Sequence, residues 1–254
     1  MLRFGAEVGA PAFAAVGADS TLVAAPAPAA IETARRAVDG LVAQHAVWSA
    51  TPLANRASWL RRAADALAAS DAGLAARWRT LAAQAETRLA AHTLPGPTGE
   101  SNELRLHGRG VFAFIGGTAP AAELATALAA ALVAGNTVAW VGDEAALAAS
   151  RPWLQILQQA GLPAGALQAM PGSAETLGTA LAAERRVAGV CATSADWLPR
   201  LARQLAAQDG AIVPLLALQE ATSARQLYRF CAEQTVTINT AAAGGNAALL
   251  AGLH

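Results

Sequence analysis

Two hydrophobic rhythms divide this chain. Between positions 28 and 92 apolar residues recur every three to four places. From position 110 onward, short unbroken apolar runs alternate with stretches of helical spacing. The first rhythm predicts three helices, over 28–49, 54–69 and 72–92, with Ser70 or Asp71 placed to cap the third. Between the two regions lies LPGPTGESNE (94–103), where Pro95, Gly96, Pro97 and Gly99 predict a loop.

In the second region GVFAFIGG (110–117), TVAWV (137–141), ALQAMPG (166–172), VAGVCAT (187–193) and IVPLLAL (212–218) predict strands. Helices are expected over 120–134, 144–161, 174–183, 195–208 and 222–233, and TVTINT (235–240) is the last expected strand. Pro120 is tolerated in a first helical turn. Pro214 cannot donate to a ladder and pushes its strand toward a sheet edge. Strands that alternate with helices of this length form a parallel sheet joined by crossover helices. The expected fold is therefore α/β, with a Rossmann-like, mostly parallel sheet. A helical segment precedes it, and a terminal strand and extended tail follow. Residues 1–27, rich in Ala, Gly and Pro, read as a flexible arm, 28–234 as the main domain, and 235–254 as terminal strand and tail.

The uncharged stretch LATALAAALVAGNTVAWVG (124–142) approaches the roughly 20 residues that span a bilayer. Gly135-Asn136-Thr137 interrupts it with a helix stop followed by a β-branched run, so it reads as helix, turn and buried strand, and no membrane span is expected. The first twenty residues lack a clean run of large apolar side chains and include Glu7, which argues against a secretory leader. A cytoplasmic location is the expectation.

Composition narrows the function. The 254 residues carry 18 basic and 18 acidic side chains, a formal net charge of +0, so nothing electrostatic favours nucleic acid or an anionic membrane as partner. Hydrophobic residues make up 54% and charged residues 14%, which excludes a disordered chain. Every basic residue is Arg. The absence of Lys removes Schiff-base chemistry, a phosphate-loop lysine and a lysine base. Cys191 and Cys231 are the two cysteines, too few and too far apart for a disulfide framework or a metal cluster, and the four His (45, 92, 107 and 254) show no metal-ligand spacing.

Read singly, the candidate residues are weak. Gly116-Gly117 ends a strand and precedes a helix, where a dinucleotide loop or a plain tight turn could sit, but the full glycine fingerprint is absent. Cys191 ends a predicted buried strand and reads as a small hydrophobe. Cys231 falls on the expected 222–233 helix beside Tyr228 and Phe230. Glu123 and Glu220 are lone carboxylates that fit solvated helix faces. The tail NTAAAGGNAALLAGL (239–253) reads either as a loose terminus or as an extended segment that gains from docking its apolar end.

Longer segments resemble one family. LPGPTGESNELRLHGRGVF (94–112), AALVAGNTVAW (130–140), GLPAGALQAMPG (161–172), RVAGVCAT (186–193) and AIVPLLA (211–217) occur in the order of the aldehyde dehydrogenase domain of proline utilization A (PutA). HAVWSATPLANRASWLRRAADAL (45–67) is similar to the N-terminal helices of aldehyde dehydrogenases, and TVTINTAAAGGNAALL (235–250) to the extreme C-terminus of PutA.

The resemblance implies NAD as the parent cofactor and oxidation of L-glutamate γ-semialdehyde as the parent activity. It also exposes departures. The position matching the family's oxyanion-holding Asn is Thr118, and its ribose-binding Lys is replaced by Val141. The accompanying Glu survives as Glu144. The Gly-Ser pair that receives pyrophosphate is Ser194-Ala195, followed by Asp196. The motif bearing the general base reads Leu218, Gln219, Glu220, Ala221, and the block that carries the nucleophilic Cys is missing.

What the resemblance implies is thus a catalytically empty domain that binds no NAD productively. It is expected to cover the dehydrogenase site and substrate tunnel formed by the catalytic domains of a PutA-type protein. Asn239, Gly244, Gly245, Asn246, Leu249 and Leu250 would make the docking contact, and the terminal strand could pair with a second copy. Three other readings remain: a free nucleotide- or small-molecule-binding module, with Glu144 and Ser194 lining its pocket, a truncated active dehydrogenase using Cys191 or Cys231, and a genetic remnant with no role.

Overall fold

The computed structural model describes residues 26–239. Three helices come first: α1 (Pro28–Ala50), α2 (Leu53–Leu67) and α3 (Ala72–Arg88). In α2 the buried positions Ala57, Leu60, Ala64 and Leu67 recur at three and four residues, the stripe that packs one helix face on a core. The Asp71 carboxylate accepts from the Leu74 N–H at 2.8 Å and starts α3, as a capping Asp should.

The chain then forms β1 (His92–Leu94), β2 (Glu100–Gly108) and β3 (Val111–Ile115). Next come α4 (Ala121–Val133), β4 (Thr137–Gly142), α5 (Glu144–Gln159) and β5 (Leu167–Pro171). A π-helical turn (Ala174–Gly178) leads into α6 (Thr179–Ala183), followed by β6 (Val187–Ala192) and α7 (Leu198–Ala206). Last are β7 (Leu215–Ala217), the single turn α8 (Leu218–Ala221), a 3-10 segment (Ala224–Phe230) and β8 (Cys231–Asn239).

The expected parallel sheet is present. Five strands run in the order β5-β4-β3-β6-β7, and every pairing is parallel. β7 lies at the edge, where Pro214 placed it. Period-two alternation sorts the apolar run of β3 onto two faces. Phe112 and Phe114 pack toward α2, α3, α4 and α5, whereas Val111, Ala113 and Ile115 pack toward α1, α6 and α7. Both faces are covered, so the strands carry no polar side. The stretch weighed as a membrane span is α4, β4 and the turn between them. α4 is buried all round, at the centre of one helical layer. Among the described residues no helix is long and apolar enough to cross a membrane.

Three expectations are corrected. Segment 94–103 is not one loop: β1 ends and β2 begins inside it, with the turn confined to the residues between. The helix expected over 222–233 is instead a two-residue link after α8, a 3-10 segment and the start of a strand, so Cys231 opens β8 rather than lying on a helix. The terminal strand starts at Cys231, four residues before the expected 235, and it does not join the parallel sheet. It pairs antiparallel with all of β2, from Gly108↔Cys231 to Glu100↔Asn239, in a separate sheet of order β1-β2-β8. Gly108 permits this junction: a Cβ there would collide with the backbone of Gly135 at the α4–β4 turn. The arm over 1–25 and the docking residues Gly244, Gly245, Asn246, Leu249 and Leu250 lie outside the described residues.

Candidate functional site

The strand order reverses between β3 and β6: the chain winds from β3 through β4 to β5 on one side, and from β6 to β7 on the other. Open α/β sheets bind ligands at such a point, beyond the carboxyl ends of the strands. A cleft of about 380 Å³ opens there. Its lining comes from the turn after β3 (Gly116, Gly117, Thr118), the end of β4 (Trp140, Val141), the start of α5 (Asp143, Ala146), the turn after β5 (Ser173, Glu175) and the turn after β6 (Thr193, Trp197).

The turn after β3 is stapled to the turn after β6. The Gly117 N–H donates to the Ser194 hydroxyl at 3.0 Å, and the Thr193 hydroxyl donates to the Gly117 carbonyl at 3.1 Å. A Cβ at Gly116 would lie 2.6 Å from the Thr193 hydroxyl, so the two turns approach too closely for any other residue. Two of the helix starts facing the cleft cap themselves. The Asp143 carboxylate accepts from the Ala146 N–H at 2.7 Å, and the Ser173 hydroxyl accepts from the Thr176 N–H at 3.2 Å. Those N–H groups are committed within the protein, whereas α4, which begins at Ala121 against the cleft, has no side-chain cap. No Arg or His contributes to the lining, whereas Asp143 and Glu175 do.

The residues singled out from sequence scatter across this geometry. Thr118 is exposed and lines the cleft. Val141 lines it too, but is buried and packs with the core on the α1 side. Glu144 is exposed at the first position of α5, and neither it nor Ser194 belongs to the lining, contrary to the expectation for a binding module. Ala195 sits in an exposed turn ahead of α7, so Ser194-Ala195 is not a helix start. Leu218 is buried in the core at the start of α8. Glu220 is no free carboxylate on a solvated face: it accepts from the Ala217 N–H at 2.9 Å and pairs with Arg229. Asn239 ends β8, opposite Glu100.

Neither cysteine reaches the cleft. Cys191 is fully buried within β6, and burial pushes its thiol far above the ordinary range. Cys231 is 2% exposed beside Gly108, which precedes the start of β3 and so lies at the opposite end of the sheet. Its thiol is pushed up to about 12 by burial, with Arg56 and Arg109 opposing. A thiolate nucleophile needs the reverse, an exposed site that lowers the value.

Sequence reasoning missed Asp143, Glu175, Trp140 and Trp197 as lining residues. Asp143 had a legible signal, an Asp between a β-branched strand and a helix. The Trp residues had none, because only the assembled sheet brings positions 140 and 197 to one cavity. The Arg200 guanidinium lies 5.2 Å from the Trp197 ring centre, on a side chain that is itself exposed.

Comparison with known proteins fits this architecture. The aldehyde dehydrogenase family model matches residues 68–217. The bifunctional protein PutA of Escherichia coli strain K12 is 32% identical over 197 residues, which cover 72% of this chain and 15% of that protein. PutA of Salmonella typhimurium strain LT2 is 39% identical over 103 residues, 39% of this chain and 8% of that protein. The chain thus spans well under a fifth of the curated relatives it matches.

Among solved structures, proline utilization A with proline bound in remote sites superposes with a TM-score of 0.67 at 35% identity, covering 76% of this chain and 22% of that one. A Bradyrhizobium japonicum PutA variant gives 0.66 at 35% identity, with the same coverage of 76% and 22%. An apo indole-3-acetaldehyde dehydrogenase, 23% identical, shares the fold with a TM-score of 0.64 over 74% of this chain and 50% of that one. A family match over more than half the chain, a five-stranded parallel sheet in Rossmann order and a separate antiparallel ribbon lead to one conclusion: this chain belongs to the aldehyde dehydrogenase family, with PutA-type bifunctional proteins among its relatives.

Proposed function

We propose that this chain is a catalytically empty aldehyde-dehydrogenase-like domain that covers the dehydrogenase site and substrate tunnel of a PutA-type assembly. The observation that carries the reading is the state of the cleft. It lies at the switch point of the sheet, and neither cysteine lines it. Covalent aldehyde oxidation needs a thiolate, an oxyanion donor and a base. Here both thiols are buried away from the cleft, Thr118 stands where the resemblance expects a longer amide, and Leu218 stands in the base motif.

A dinucleotide also fits poorly. The cleft offers a pyrophosphate no cation, its N–H groups at Gly117, Ala146 and Thr176 are already bonded, and Asp143 and Glu175 repel it. The partners that follow are the catalytic domains of such an assembly, met in a cytoplasmic setting. Residues 1–27 then serve as an arm, 28–234 as the cover's body and 235–254 as the docking element.

Complementation tests the cover. A PutA catalytic chain truncated ahead of its C-terminal domain is mixed with this protein, and NADH formation from proline is followed. Restored coupled turnover, lost again when 239–254 are deleted, supports the reading. Turnover of L-glutamate γ-semialdehyde with NAD by this chain alone would overturn it, as would a folded protein that restores nothing.

A further inference from the structure

We propose that the cleft at the carboxyl ends of β3, β4 and β5 is the docking site of this chain's own segment ahead of α1, with Leu22 and Val23 seated in it.

The course of α1 decides which segment reaches the cleft. Near the middle of the helix, the Leu41 carbonyl accepts from the Thr137 hydroxyl at 3.0 Å, at the amino end of β4. A Cβ at Gly40 would meet the Gln168 side chain near the amino end of β5, and Asp39 pairs with Arg186 just ahead of β6. Farther along, the Trp48 indole donates to the Leu132 carbonyl at the end of α4, which leads into β4. The helix therefore runs antiparallel to the strands. Its start at Pro28 lies about 18 Å back along the axis from Gly40. β5 continues only about 10 Å from Gln168 to Pro171, so Pro28 stands past the carboxyl ends of the strands. It does so beside the π-helical turn: Ala34 and Ala37 pack in one cluster with Ala174 and Leu177, and Ser173, Ala174 and Glu175 line the cleft.

Leu22 and Val23 come four and three residues ahead of Pro26, a reach of roughly 10–14 Å when extended. So short a tether holds a segment at roughly millimolar local concentration, and weak contacts are enough to seat it. The C-terminal segment begins elsewhere. It leaves from Asn239, at the far end of the β2–β8 ribbon, and the near end of that ribbon at Gly108 meets the sheet on its amino side.

The cleft suits an uncharged aliphatic segment, and STLVAAPAP (20–28) carries no charge. Gly116, Gly117, Ala119, Ala121, Ala145 and Ala149 contribute to the lining, so a backbone can lie close and a branched side chain can enter. α4 begins against the cleft without a side-chain cap. The N–H groups of Glu123 and Leu124 both bond to the Pro120 carbonyl at 3.0 Å, which leaves those of Ala121 and Ala122 without a partner among the described residues. A peptide carbonyl can accept from them without bringing the negative charge that Asp143 and Glu175 oppose.

Solvent access to the cleft tests this in the full chain. Ala149→Cys places a thiol at an exposed lining position, and the two native thiols are buried. Alkylation by iodoacetamide is followed by intact mass, and exchange of the Ala121 and Ala122 amides by deuterium uptake. Adding Leu22→Asp with Val23→Asp should speed alkylation about tenfold and speed exchange at both amides. Leu249→Asp with Leu250→Asp should change neither rate. Silence of Cys191 and Cys231 in every variant certifies the fold. The proposal is overturned if the Leu22 and Val23 substitutions leave both rates unchanged, if the Leu249 and Leu250 substitutions raise them instead, or if protection depends on protein concentration, which would make the occupant a second copy. The result is independent of the cover role, which is scored by complementation and the 239–254 deletion.

Discussion

The side-chain amide of Asn136 is wholly buried and makes three hydrogen bonds. Its nitrogen donates to the carbonyls of Ala131 and Phe230, each at 3.0 Å, and its oxygen accepts from the Gly110 N–H at 3.2 Å. It therefore joins the end of α4, the start of β3 and the entry to β8. Asn136→Ala removes all three bonds, with the Ala131 carbonyl keeping the Asn136 N–H and the Phe230 carbonyl the Arg109 N–H, and should lower stability by about 2 kcal/mol in urea unfolding, with Asn136→Asp no better because a carboxylate cannot donate to two carbonyls.

Arg56 plays a parallel role. It is 6% exposed, and it donates to the carbonyls of Val133 at 2.9 Å, Ser49 at 3.3 Å and Thr51. Arg56→Met keeps most of the volume but leaves those carbonyls bare, and about 3 kcal/mol of stability should be lost by the same assay.

His45 gives a pH signature. Burial holds its imidazole below the ordinary value of 6.5, with a backbone hydrogen bond at Gly108 opposing and the Arg56 charge assisting. As pH falls below 6.5 the unfolded chain takes up a proton that the folded chain resists, so stability drops through that window and levels off below the folded value. Unfolding free energy measured from pH 7.5 to 5 should show this slope, and His45→Phe should flatten it.

Residues 94–108 and 231–239 show how an element can escape a local reading. The Pro and Gly of 95–99 dominate their neighbourhood, and ESNELRLHG alternates too imperfectly to announce a strand. It becomes one because CAEQTVTIN lies against it along its whole length, with His107 bonded to Gln234 at 2.9 Å and Thr237 donating to Asn102 at 2.6 Å. That ladder joins segments more than a hundred positions apart, and no short window contains it. Beyond Cys231, nearly all of β8 is exposed or half-buried, and among the described residues no strand covers its outer edge. An edge of this length invites pairing with a second copy. If it does so, Ile238→Lys, at a position 57% exposed, should shift the sedimentation coefficient toward that of a monomer without changing the circular dichroism. The local signals that did hold are those set within one turn: the Asp71 cap, the Gly135 stop with its φ of +98, and the edge position of the Pro214 strand.

Across the whole molecule, two helical layers enclose a sheet whose cleft remains open, and its occupancy should be visible in global stability. A ligand that binds only the folded state raises its stability by RT ln(1 + [L]/Kd). NAD at millimolar concentration should therefore leave the thermal midpoint within about 1 °C, as a thermal melt with and without the dinucleotide would show. Thiol reagents probe the same architecture: Cys191 and Cys231 should stay unmodified at pH 8 until the protein unfolds, because burial keeps both thiols protonated.

The periodicities carried in the sequence were enough for the α/β class, the parallel sheet and most of the helices, and the resemblance of longer segments for the family. Each of those signals sits within a dozen residues or in a matching motif, and hydrophobic burial enforces it locally. The partner of β2, the commitment of Glu220 to Arg229, the burial of both thiols and the lining of the cleft could not be read that way. They are products of contacts between distant segments, and a side chain's charge partner and solvent exposure exist only once those segments are packed.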